Sequence, residues 1–95
     1  MHCTEIQFSG HALRQMFARR ISVQDALDVI EKGETVSDYP DDTPYPSRLI
    51  LGWIHDRPLH VVVGRNPDIG QCTVITAYEP EKEIWTNDFR RRKSE

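Results

Sequence analysis

The chain has 95 residues, 38% of them hydrophobic and 28% charged, which suits one compact core and excludes both a disordered chain and a pair of independently folded domains. Its formal net charge of -3 removes the overall basic excess that drives non-specific phosphate binding, leaving only local basic patches for any nucleic acid. No apolar run approaches the ~20 residues of a membrane span and no basic, then apolar, leader opens the chain, so a cytoplasmic protein with no membrane partner is expected. Cys3 and Cys72 lie far apart in sequence, and both are read as free thiols of a reducing compartment.

Ser9 is placed to cap a first helix over about 10–18, with Phe8 stapling onto Leu13. Ala12, Leu13, Met16 and Phe17 form its apolar side, whereas His11, Arg14 and Gln15 share a polar face at i, i+3 and i+4. A second helix over about 22–32 opens on Ser22 with Asp25 three residues on, carries Val23, Ala26, Leu27 and Ile30 on one stripe, and stops at Gly33. So short a link between them predicts a two-helix hairpin.

After Gly33 an edge strand is expected at about 35–39, followed by a proline-rich loop through Pro40, Pro44 and Pro46. Three further strands, about 48–54, 59–65 and 72–78, are rich in β-branched and aromatic residues and separated by turn-forming stretches. Apolar residues occur on both faces of these strands, so the sheet needs a cover on each side: the helix pair on one, and the C-terminal segment or a second copy of the chain on the other. Over about 81–90, Ile84, Trp85, Asp88 and Phe89 recur at helical spacing after Pro80, which predicts a short terminal helix. Trp53, continuing the Leu49 and Leu51 face, is expected in the core. The fold class is therefore α+β, with an N-terminal two-helix hairpin packed on an antiparallel β-meander of three to four strands.

Zinc-type pairs such as CxxC or HExxH are missing, as are a nucleophile elbow and a phosphate-cradling glycine loop, so neither a metal nor another cofactor is expected. What remains is a His/Arg/Tyr set. His11, near the N-terminus of the first helix, is a candidate base. His60 interrupts the apolar run from Leu59 to Val63, where a polar ring requires a partner or a cavity. Tyr78 ends the next strand; Arg48 opens the preceding one, as a phosphate clamp or as an edge charge. Arg90 begins a basic run through Lys93.

The segments Phe8 to Met16, Arg19 to Ser22, Gly33-Glu34, Tyr39-Pro40, Leu59 to Val62, Thr76 to Pro80, and Trp85 with Phe89-Arg90 together resemble the domain-of-unknown-function 4258 family, over about residues 6 to 91. That family is grouped with the RelE/ParE-like toxins, whose helices pack beside a curved antiparallel sheet and which cut messenger RNA or poison gyrase. The resemblance implies a metal-independent endoribonuclease of mRNA interferase type, with His60, His11 and Tyr78 as catalytic residues and Arg14, Arg48 and Arg90 as phosphate binders. It also implies a neutralising antitoxin and RNA as partners. A different expectation is a non-catalytic interaction module that dimerises or binds a partner protein through an open sheet edge.

Overall fold

The computed structural model describes residues 1–94. Strand β1 (Glu5–Phe8) leads into helix α1 (Gly10–Ala18) and helix α2 (Val23–Lys32), followed by β2 (Glu34–Tyr39), β3 (Ser47–Ile54), β4 (Arg57–Arg65) and β5 (Gln71–Tyr78). The result is a compact α+β fold with one mixed sheet in the order β1-β5-β4-β3-β2. Each of β2 to β5 runs antiparallel to the next, and β1 lies parallel to β5 in the register Ile6↔Cys72.

Both helices start where side-chain oxygens replace missing backbone acceptors. Ser9 Oγ accepts from the Ala12 amide at 3.0 Å, and Ser22 Oγ accepts from Asp25, whose carboxylate returns the bond to the Ser22 amide. The helices lie over different strands, α1 beside β5 and α2 across β3 and β4. Their buried residues, including Met16, Val29 and Ile30, meet Ile50, Leu59, Val61 and Val74 in the larger core.

The opposite face of the sheet is covered by residues 80–94. Trp85 and Phe89 pack there against Leu49 and Leu51, with Val62 and Tyr78 at the margin. No helix forms over 81–90. The segment is a strap of turns closed by a bridge between Trp85 and Arg92, with Phe89 at a positive φ of 59°. The helical spacing of Trp85 and Phe89 reflects instead that both must face the sheet, while the left-handed backbone at Phe89 turns the chain out of any helical path. Trp53, expected in the core, is 52% exposed; the Phe89 ring packs against it edge-to-face, at 5.8 Å between centroids, without covering it.

The cysteines are a further correction. They form a disulfide between Cys3 and Cys72, and no free cysteine is found among the described residues. The parallel pairing of β1 with β5 brings the two residues together, a contact 69 residues apart in sequence. With both sulfurs bonded to each other, neither cysteine supports a reducing compartment. No helix is long and apolar enough to cross a membrane.

Candidate functional site

Strand alternation decides where His60 points. Leu59 and Val61 face the helices, so His60 between them faces the strap, with Leu51 and Tyr78 as its cross-strand neighbours. The ring is completely buried. Nε2 lies 2.9 Å from the Phe89 carbonyl oxygen, which can only accept, so Nε2 carries the proton and donates. Nδ1 is then the free lone pair, and the Tyr78 hydroxyl, 3.3 Å away, donates to it. Edge contacts to Trp85 at 4.4 Å and Tyr78 at 5.3 Å fix the plane of the imidazole.

Burial pushes the His60 pKa below the ordinary imidazole value, against a smaller upward pull from its bond to the Phe89 carbonyl. Burial also raises the Tyr78 pKa, helped by nearby Tyr39 and opposed by the Arg92 and Arg19 guanidinium groups. At neutral pH the pair is thus a neutral phenol donating to a neutral, proton-accepting imidazole.

Beyond Tyr78 the surface opens into a concavity of about 520 Å³, lined by Arg19, Arg57, Arg92 and Trp85 with Glu79 and Glu81 at its rim. Arg19 is held by the Ala77 carbonyl at 2.9 Å and, more loosely, by Gln15 Oε1 at 3.4 Å. Thr76 Oγ also donates to that Gln15 oxygen, at 2.6 Å, so α1 is keyed to the margin of β5. Arg57 is committed, to Glu79 at 2.6 Å and to the carbonyls of Arg19 and Arg20. Arg92 stacks over the Trp85 ring, 5.7 Å from its centroid.

Of the residues singled out in the sequence, the structure brings His60 and Tyr78 together and disperses the rest. His11 and Arg14 sit exposed on α1, on the helix side of the sheet, whereas His60 faces the strap. Arg48 pairs with Asp38 at 3.3 Å on the outer strand, and Arg90 pairs with Glu34 at 2.5 Å. Neither lines the concavity beside Tyr78. Arg19, Arg57 and Arg92 are the cations found there, and sequence reading missed them in this role. The available signals were Arg92, inside the basic run from Arg90 to Lys93, and Arg19, four residues beyond Gln15 and eight beyond His11 on a single helical stripe. No group of His, Cys, Asp and Glu able to hold a metal occurs among the described residues.

The fold and this site describe a small α+β domain with a His–Tyr pair opening onto a partly cationic surface. Residues 8–79 match the family described as Domain of unknown function (DUF4258), and the chain belongs to that family. The matched span holds His60, Tyr78 and Arg19, and ends before the strap. No curated protein and no solved structure matches the chain.

Proposed function

We propose that the chain is a RelE/ParE-like protein that cleaves RNA at the Tyr78 concavity, as a toxin-type endoribonuclease. The superfamily reading is supported by two helices on one face of a sheet whose last four strands pair antiparallel in sequence order. One observation carries the chemical reading: the Tyr78 hydroxyl donates to a buried, neutral His60 at the mouth of a concavity lined by Arg19, Arg57 and Arg92.

In this mechanism a ribose 2′-oxygen attacks the adjacent phosphorus. Its proton passes to the Tyr78 oxygen as the Tyr78 proton passes to His60 Nδ1, and the bond to the 5′-oxygen breaks, that oxygen taking a proton from water. The imidazolium so formed keeps its Nε2–H bond to the Phe89 carbonyl. Arg19 and Arg92 neutralise the charge that builds on the phosphoryl oxygens. His60 touches no substrate and works through Tyr78.

Induced expression in bacteria tests the reading: growth arrest is expected, relieved by Tyr78→Phe and by Arg19→Ala together with Arg92→Ala. Undisturbed growth with wild-type protein accumulating to high level would count against it. A non-catalytic module is the second reading, favoured by the outer edge of β2, which carries no paired strand on its far side. That edge is the natural place for an antitoxin or for the second chain of a homodimer. In the module reading, arrest does not occur and Tyr78→Phe changes nothing.

A further inference from the structure

On the far side of the Arg57–Glu79 ion pair lies a second and larger depression, about 1080 Å³, between the β3–β4 turn and the start of the strap. Its floor is apolar: Trp53, Pro58, Pro80 and Phe89. Trp53 is 52% exposed and packs edge-to-face with Phe89, 5.8 Å between ring centroids, so about half of the indole surface is open to solvent beside an aromatic neighbour. The rim is acidic. Arg57 and Glu79 neutralise one another at 2.6 Å, leaving Asp56, Glu81 and Glu83 against Lys82, and none of these four has an ion-pair partner among the described residues.

An exposed indole wall beneath unpaired carboxylates is the arrangement that receives a guanidinium or ammonium group, since the ring face attracts the cation and the carboxylates supply the counter-charge. The proline rings and the Phe89 edge offer apolar contact to the aliphatic stem or to a neighbouring side chain. We propose that this depression is a docking groove for a basic, partly apolar segment of a partner protein, with an arginine or lysine stem laid against Trp53 and its charged head toward Glu81 and Glu83. Arg57, Glu79 and Glu81 line both depressions, but the first adds Arg19 and Arg92 whereas the second adds Asp56 and Glu83 against Lys82, so the balance of charge is cationic in one and acidic in the other. The proposal stands whether or not the Tyr78 site cuts RNA.

The test uses the full chain and a hexapeptide alternating arginine and leucine, followed by calorimetry and by Trp fluorescence in a Trp85→Phe background whose fold is checked by circular dichroism. Saturable binding with a shift in Trp53 emission is expected, weakening as salt is raised. Trp53→Ala should weaken it about fivefold, and Glu81→Lys with Glu83→Lys at least about tenfold, as reversed rim charges repel the ligand. Trp53, Glu81 and Glu83 are exposed, so replacing them should leave the circular dichroism of the parent chain unchanged. An alternating glutamate and leucine peptide should not bind. Equal binding of the acidic peptide, charge-reversed variants within about twofold of wild type, no binding at all, or self-association of the chain through Trp53 would each overturn the proposal.

Discussion

Replacing His60 with alanine removes the one side chain that, among the described residues, ties the sheet to the strap by a buried hydrogen bond, and its cost can be worked from the contacts. The Phe89 carbonyl, buried and accepting from Nε2 at 2.9 Å, loses its donor, which costs about 1–3 kcal/mol. Deleting a ring that is fully buried leaves a cavity worth roughly 2 kcal/mol more, given how little a strap held by Trp85 and Phe89 can collapse. Loss of the edge contacts to Trp85 and Tyr78 adds about 0.5–1.5 kcal/mol. These effects overlap, and a net loss of about 3–5 kcal/mol is expected. For a domain of this size that lowers Tm by at least about 12 °C. Urea unfolding followed by Trp fluorescence gives the free energy, and quenching of Trp85 by acrylamide in a Trp53→Phe background reports whether the strap has loosened. A loss below about 1 kcal/mol, with Trp85 still protected, would mean that the strap is held without His60.

Other consequences are smaller in scope. Because the folded His60 has its pKa below the unfolded value of about 6.5, the unfolded chain binds the extra proton first as pH falls. Its contribution to stability is whole above about pH 6.5 and is lost as pH falls toward the folded pKa, and unfolding curves across that window should show a slope that His60→Gln removes. Arg20 holds a left-handed φ of 58° just past the end of α1, and Arg20→Gly should stabilise the fold by about 0.5–1 kcal/mol in the same urea assay. Arg57 reaches the carbonyl of residue 20, not its side chain, so that bond survives the change. At Gly33 a Cβ would come within 2.5 Å of the Val29 carbonyl oxygen and 2.6 Å of the Leu51 carbonyl oxygen, both backbone atoms. Gly33→Ala should therefore cost about 2 kcal/mol or more by thermal unfolding.

Local signals carried much of the fold. Ser9 and Ser22 announce the helix starts because capping is decided within three residues, and Gly33 marks the end of α2 because a Cβ there would meet two carbonyls. Apolar residues on both faces of β3 to β5 foretold the second cover that Trp85 and Phe89 supply. The features not legible are non-local. Strand β1 has four residues and becomes a strand only by pairing with β5 some 66 positions away, and the Cys3–Cys72 bridge follows from that pairing. The strap was misread because residues 85 and 89 share a face in a helix and also in a turn pinned to a sheet. At the site, the run from Leu59 to Val63 marked His60 as a polar ring in need of partners, and Phe89 and Tyr78 are those partners. What the sequence concealed was the side of the sheet each element covers, which parts His11 from His60 and puts Arg19 and Arg92, rather than Arg14, Arg48 and Arg90, beside Tyr78.

The proposed chemistry turns on the Tyr78 hydroxyl acting on a ribose 2′-hydroxyl. Purified full-length chain should be incubated with a synthetic single-stranded RNA and with the same oligonucleotide carrying 2′-deoxyribose throughout, and the products read by mass. Fragments ending in 2′,3′-cyclic phosphate are expected from the RNA alone, with the rate falling by about 10²–10³ in Tyr78→Phe. Intact RNA with the wild-type chain, or cutting that proceeds equally in Tyr78→Phe, would contradict that chemistry.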